Sequence, residues 1–453
     1  MNISKFIDWS KENGINSTAS IDQTPYAGYG LFASKDIPES TVAVSIPQNL
    51  LLTSRKALQQ LPRFSKLILS YLSHKYDTTK DIQSIAESVD NERLVLCLFL
   101  IYCKFFDTTT YWAPYIDILP TVNFFQENHV LFKPEYIAGT SLENSVKSKI
   151  NSLQREFESI ASIREDWICD MQFEMYLWAD CIFWSRVVGI GGDEQEKEAS
   201  DKALIPFFDF ANHSSENPNI RWQLNNGGID LITYPNVTIN ATDELLLSYG
   251  SKPNQELLFL HGFCIENNTE PSRFMLPLLP FFSPLEQGYN LPKVQWLKQL
   301  SIKPNLTLVP RQSNSKEDPL AQCGWTDESI RVMYLVSLEE DIEFIMDDDD
   351  SITFQLLGKN IPSLIELEAA VKDMNIFPVI QLRAVMLLLD ALEYYLQLNT
   401  NLAQENNETG LWKQANIYRS EERVTLETTV QSLSTFRDEL MQHPVVLSYL
   451  ESA

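Results

Sequence analysis

Residues 91–106, NERLVLCLFLIYCKFF, are apolar on nearly every face of the helix they would form, so that helix must be enclosed on all sides by the rest of the fold. The flanking sequence is of another kind. Within residues 21–53, GYGLFASKDI and TVAVSIPQNLLLT gather β-formers around the polar break Pro38-Glu39-Ser40 and predict two short strands joined by a turn. Strand signals return in NIRWQL, IDLITYP and ELLLSYG, with Asn225-Asn226-Gly227-Gly228 as a hairpin turn between the first two. A β-rich part split by a helical stretch is the expected arrangement.

The helical stretch runs from about residue 55 to 180 and contains SLENSVKSKINSLQREFESIASI and MQFEMYLWADCIFWSRVV besides the buried helix. Residues 189–202, Gly-rich and then acidic, suit a surface loop. After about residue 280 the period returns to three and four residues in DESIRVMYLVSLEEDIEFI, IPSLIELEAAV, FPVIQLRAVMLLLDALEYYLQL and ERVTLETTVQSLSTFRDELMQ, which predicts an all-α C-terminal domain. The acidic run at residues 347–350 reads as a solvated loop between helices, because it lacks the alternating oxygen ligands and turn glycine of a Ca²⁺ loop. With 453 residues the chain is too long for one ordinary core. The expected partition is 1–54 and 181–279 for the two β-rich parts, 55–180 for the helical insert and 280–453 for the C-terminal domain.

Charge excludes one broad class of function. Lys and Arg total 35 against 61 Asp and Glu, a net charge of −26, so a broad basic face for nucleic acid is not available and a basic protein suits the surface better. The first residues, MNISKFIDWSKENGINS, show no basic stretch followed by an apolar one, and no apolar run approaches the ~20 residues of a membrane span. A soluble intracellular protein is expected, cytoplasmic with the nucleus also open. The six cysteines form no C-x-x-C or C-x-C pair, and they read as buried thiols.

The densest chemistry is in residues 204–219, LIPFFDFANHSSENPN, where Asp209, Asn212 and His213 stand among aromatics and proline. Metal ligation is poorly supported, since Pro206 and Pro218 argue against a helix that would align Asp209 with His213, and no second histidine is near. A plain turn, with Asn212 bonding local backbone, remains open. Three other stretches stand beside it. AGYGLFASKDI sets Gly28 and Gly30 one residue apart in a strand, where a missing side chain lets a ligand approach the backbone. WADCIFWSRVV ends an apolar helix in Arg186, which could also be a helix-capping arginine. ELLLSYGSKPNQELLFLHGF ends a strand at Tyr249-Gly250 and starts a helix at Asn254.

Taken in this order, GYGLFASKDI, WADCIFWSR, LIPFFDFANHS, LLLSYG and NQELLFLHGF resemble the SET-domain protein methyltransferases, in the branch of the Rubisco large-subunit methyltransferase and the fungal ribosomal-protein lysine methyltransferases. The resemblance covers essentially the whole chain. It implies an α+β protein: a β-rich SET fold split by a helical insert, followed by an all-α C-terminal substrate-binding domain. It also implies S-adenosylmethionine as cofactor. Ala27, Gly28 and Tyr29 would hold that cofactor by their backbone, with Gly30 letting the strand turn; Arg186, Asn212 and His213 would contact it; and Phe263 is a candidate for packing on adenine or shaping the channel, with a plain core Phe equally open. The Tyr249 hydroxyl would face the reacting sulfonium and amine. Asp209, His261 and Arg186 would lie toward the substrate. No metal is implied.

Two positions depart from the pattern: His261 stands where lysine-methylating members usually carry Tyr, and Val188 where the type member has an aromatic. The implied activity is lysine N-methylation of a non-histone protein, a basic one such as a ribosomal protein or elongation factor, by a monomer without direct nucleic-acid or membrane contact. The alternatives are a histidine acceptor on the same architecture and a SET module that binds a partner without turnover.

Overall fold

The computed structural model describes residues 3–24, 28–77, 81–190, 201–278, 281, 287–303, 305–310, 318–346, 351–401 and 410–452. Its contacts divide into two compact units. The first comprises Met1–Pro134, Val146–Phe263 and Asn268–Glu270; the second comprises Glu135–Ser145, Cys264–Asn267 and Pro271–Ala453. Residues 135–145 sit within the stretch read as helical insert, yet they pack in the second unit.

In the first unit the split in the sequence is closed by strand pairing. Val42–Ile46, which precedes the helical stretch, pairs antiparallel with Gly228–Thr233, which follows it, and Leu52–Thr53 pairs with Asp201–Leu204. The largest sheet runs in the order Asn16–Ser17, Val42–Ile46, Gly228–Thr233, Ile220–Asn225, Leu246–Leu247, Asn212–His213. The two N-terminal β signals do not form one hairpin. Gly28–Ala33 pairs instead with Ala19–Thr24, while Val42–Ile46 joins the large sheet. A turn signal such as Pro38-Glu39-Ser40 marks where a strand stops but not which partner it takes. The hairpin between Ile220–Asn225 and Gly228–Thr233 turns on Asn226 and Gly227, with φ of 42° and 87°. Both central residues of a two-residue type I′ turn need positive φ, which Asn-Gly supplies at little steric cost.

The apolar helix is Glu92–Ile101, continued by a π-helical turn to Phe106, and its residues from Leu94 to Ile101 are buried. Phe64 and Phe99 meet edge to face at 5.5 Å on one side of it. Near its start Arg93 reaches buried Asp180 at 2.8 Å, Lys149 binds the same carboxylate at 2.9 Å, and Glu156 completes the network. Asp180 is the buried member, so leaving its carboxylate without a cation is destabilising.

The second unit is mostly helical, with Asp327–Ser337, Leu364–Lys372, Phe377–Asn401 and Gly410–Met441 around a core that includes Trp296, Leu335, Leu388, Leu392 and Leu433. It is not all-α. Phe274–Pro277 pairs with Asn305–Leu308, and Ile342–Met346, Ile352–Leu356 and Lys359–Asn360 form a three-stranded sheet. In the segment EDIEFI, read as the end of a helix, the residues from Ile342 on belong to the strand Ile342–Met346. Its alternation of acid and apolar residues fits a period of two, and the helix before it stops at Ser337. The acidic run 347–350 lies outside the described residues, between strands rather than helices. No described helix is long and apolar enough to cross a membrane.

Candidate functional site

The first unit gathers the sequence-picked residues at one place. Within the stretch LIPFFDFANHS, Phe207 has φ 73° and ψ −42°, a conformation costing on the order of 1–3 kcal/mol for a non-glycine residue. Packing holds it there, with its ring 6.3 Å from that of buried Phe6, which also meets Phe210 at 5.9 Å. A 3-10 turn, Phe208–Phe210, follows, then the short strand Asn212–His213, parallel to Leu246–Leu247. Asp209 and His213 thus lie on different elements, and they do not share the helix face a metal pair would need.

Asp209 is 1% exposed and accepts hydrogen bonds on one carboxylate oxygen. Tyr115 donates its hydroxyl to Oδ2 at 2.9 Å, and Arg186, the last residue of helix Phe173–Arg186, places Nη1 at 3.2 Å from the same oxygen and 2.8 Å from the Asp209 carbonyl. Burial raises the Asp209 carboxyl pKa, with Arg186 and Tyr115 pulling it back. This enclosure makes Asp209 a partner of Arg186 rather than a group open to solvent. Two atoms of the pair, Arg186 Nε and Asp209 Oδ1, are buried without a hydrogen-bond partner among the described residues.

Asn212 donates through Nδ2 to Glu244 Oε1 at 2.7 Å and to the Tyr29 carbonyl at 3.2 Å. Those contacts explain Gly30. A Cβ there would lie 2.4 Å from Glu244 Oε1 and 2.9 Å from Asn212 Nδ2, so the glycine makes room for that pair. It does not turn the strand by positive φ, as the resemblance implied; Gly28, at φ 79°, has that conformation. Ala27 lies outside the described residues.

His213 accepts the backbone N–H of Tyr249 on Nδ1 at 3.0 Å. The Leu247 carbonyl is also near Nδ1, at 3.4 Å, but would require a proton on that nitrogen, and the shorter bond assigns the proton to Nε2. That Nε2 is buried and has no partner among the described residues. Tyr249 stacks on His213 at 4.9 Å, lies 5.3 Å from His261, and donates its hydroxyl to the Ala211 carbonyl at 2.9 Å. Burial pushes the Tyr249 phenol up to about 12, so it stays protonated and serves as a hydrogen-bonding group rather than a base. His261 closes the helix Asn254–His261, and Phe263 sits 6.0 Å from its ring.

Burial also holds histidines neutral: His261 down to about 3 and His129 to about 4, with His213 lowered. These folded values lie below the unfolded value near 6.5, so the unfolded chain takes up protons first as pH falls. The contributions of His261 and His129 to stability are complete above ~pH 6.5 and decline on acidification through the folded values of about 3 and about 4, by up to about 1.4 kcal/mol per pH unit each. We expect urea unfolding of His261→Tyr to show a pH slope shallower by about one proton than the unsubstituted protein between ~pH 6 and ~pH 4. Parallel slopes would contradict a buried neutral His261.

Sequence reasoning missed Tyr115 and Glu244. Tyr115 carries no local signal, because its partner is 94 residues away. Glu244 directly precedes LLLSYG and could have been questioned as a charge at the start of an apolar strand. Among the described residues, no group of three His, Cys, Asp or Glu side chains is placed to hold a metal ion.

Residues 28–250 match the SET domain family. Among characterised proteins, the chain is 24% identical over 254 residues to the ribosomal lysine N-methyltransferase set10 of Schizosaccharomyces pombe, which covers 54% of this chain and 42% of that protein. It is 22% identical over 277 residues to the actin-histidine N-methyltransferase of Xenopus tropicalis, covering 58% of this chain and 43% of the relative. The chain thus spans less than half the length of these relatives. Among solved structures, the SET domain of LSMT bound to lysine and AdoHcy superposes with a TM-score of 0.69 at 15% identity, over 97% of this chain and 93% of that one. Rubisco LSMT bound to AdoMet superposes with a TM-score of 0.66, also at 15% identity, over the same shares of the two chains. At this identity the likeness to the solved structures establishes the fold, and the match to the SET domain family lies within residues 28–250.

Proposed function

We propose that the protein transfers a methyl group from S-adenosylmethionine to a lysine side chain of a basic non-histone protein, such as a ribosomal protein or translation factor. The observation that carries the reading is a pair of buried N–H groups without acceptors among the described residues, His213 Nε2, on the ring stacked against Tyr249, and Arg186 Nε, whose charge acts on Tyr249. S-adenosylmethionine offers adenine nitrogens and a carboxylate as acceptors, so the donor set fits it. Asn212, already donating to Glu244 and the Tyr29 carbonyl, keeps its amide oxygen for a donor such as an amino group. When bound, the sulfonium supplies a methyl group that is already activated.

What remains for the chain is alignment. Tyr249, held by Ala211 and His213 and kept protonated, can accept a hydrogen bond from the incoming nitrogen on its free lone pair. A lysine arriving there must lose a proton from an ordinary value of about 10.4. The aromatic surroundings and the nearby Arg186 cation favour the neutral amine.

A second acceptor, histidine, is favoured by one observation. His261 stands 5.3 Å from Tyr249 and is held neutral, so it can exchange hydrogen bonds with an imidazole that arrives without needing to shed charge. The actin-histidine relative supports this reading, as the ribosomal lysine relative supports the first.

Labelled methyl transfer into an extract from cells lacking the protein, followed by mass spectrometry of the labelled band, tests both. Methyllysine is the expected product; methylhistidine would replace the first reading with the second, and an absence of both label and calorimetric S-adenosylmethionine binding would end both. His261→Tyr is expected to change the number of methyl groups added or the accepted residue by about tenfold in relative rate, the discrimination one pocket contact typically provides. An unchanged product distribution would remove His261 from the substrate path.

A further inference from the structure

We infer that Tyr115 and Asp209 are positioning residues that hold Arg186 so that one edge of its guanidinium is presented to the carboxylate of the bound methyl donor. This rests on the function proposed above. Among the described residues the guanidinium is anchored through Nη1, to the Asp209 carbonyl at 2.8 Å and to Asp209 Oδ2 at 3.2 Å. Anchoring at Nη1 leaves the opposite edge, where the N–H of Nε lies parallel to one N–H of Nη2. That edge is the fork that grips a planar carboxylate with two hydrogen bonds. Nε is buried and has no partner among the described residues, which is costly unless an acceptor arrives.

The anchor itself is secured from behind. Tyr115, on the helix Ala113–Ile118 of the insert, donates to the same Oδ2 that takes Arg186, so the carboxylate cannot rotate away without breaking both bonds. Its ring sits 6.3 Å from Phe6, inside the aromatic cluster that also holds Phe207 and Phe210. Asp209 is the charge that neutralises Arg186 while no ligand is present. The chain therefore links the helical insert, the DFANH turn and the end of helix Phe173–Arg186 in one arrangement. The only anionic group of S-adenosylmethionine is its carboxylate, and it is the chemistry that edge of Arg186 recognises.

Calorimetry with S-adenosylhomocysteine and with its decarboxylated analogue separates positioning from simple stabilisation. The unsubstituted protein is expected to prefer the carboxylated ligand by about 10- to 100-fold, as a charge-assisted pair provides. In Asp209→Asn the preference shrinks to within about threefold, with affinity for the decarboxylated ligand unchanged. Tyr115→Phe shows the same change in direction at about threefold, and it carries the test if Asp209→Asn fails to fold. An unchanged preference in the variants would overturn the inference, as would equal weakening of both ligands. If the unsubstituted protein bound neither ligand, the proposed function would fail first and this inference with it. Binding of both ligands with equal affinity would sink the inference alone.

Discussion

Tyr249→Phe is expected to lower methyl transfer about 100-fold while leaving S-adenosylmethionine affinity within about threefold. The substitution removes one oxygen and little volume. The ring stays stacked on His213 at 4.9 Å and beside His261 at 5.3 Å, so the pocket keeps its shape. What is lost is the hydroxyl anchored on the Ala211 carbonyl, and with it the acceptor that, on the proposed function, would align the incoming nitrogen. Misplacement of a reacting atom by about 1 Å can cost about 100-fold in rate, which sets the scale. Because the phenol is pushed up to about 12, its loss removes no base. The residual rate of the variant should therefore keep the pH profile of the unsubstituted protein. Single-turnover rates at saturating cofactor, with calorimetric affinity alongside, check this. A fall in affinity matching the fall in rate would show that Tyr249 holds the cofactor rather than the acceptor.

Asn212→Ala is expected to do the opposite, weakening S-adenosylmethionine binding about 10- to 100-fold with the rate at saturation within about fivefold. Its amide joins three strands by hydrogen bonds, to the Tyr29 carbonyl on Gly28–Ala33 and to Glu244 just before Leu246–Leu247. The substitution also removes the amide oxygen proposed to accept from the charged amino group of the cofactor; a hydrogen bond to a charged group contributes about 1.5–3 kcal/mol, and each 1.4 kcal/mol is a factor of ten. Gly30 supplies an independent check. Gly30→Ala pushes a Cβ against Glu244 and Asn212 and should weaken the cofactor in the same direction without touching the chemistry. Equal losses of affinity and rate in Asn212→Ala would contradict the division of labour between Asn212 and Tyr249.

Several features were legible without coordinates because their cause is local. The buried helix at residues 92–101 follows from unbroken apolar character, and the Asn226–Gly227 turn from the two residue types that best accept positive φ. The helix at Asn254 and the end of helix Phe173–Arg186 were readable in the same way. Where local signals competed, reading failed. EDIEFI has acidic residues that a helix tolerates, but its alternation made it a strand once Ile352–Leu356 was available to pair with it. The break at residues 38–40 marked a turn, but the partner of Gly28–Ala33 turned out to be the strand before it.

What the sequence by itself determined is the set of short stretches that supply the candidate site, and the type of most elements, because residue spacing encodes the periods of helix and strand and the φ needs of turns. What only the tertiary structure decided is which stretches meet. Val42–Ile46 found Gly228–Thr233 across the whole helical insert, and Tyr115 found Asp209 across 94 residues. Gly30 proved to be needed because Asn212 and Glu244 fill the space its side chain would occupy. Such pairings leave no trace in spacing: a hydroxyl, a carboxylate and a guanidinium far apart in the chain acquire a joint role only when packing brings them within hydrogen-bonding distance and removes the water between them.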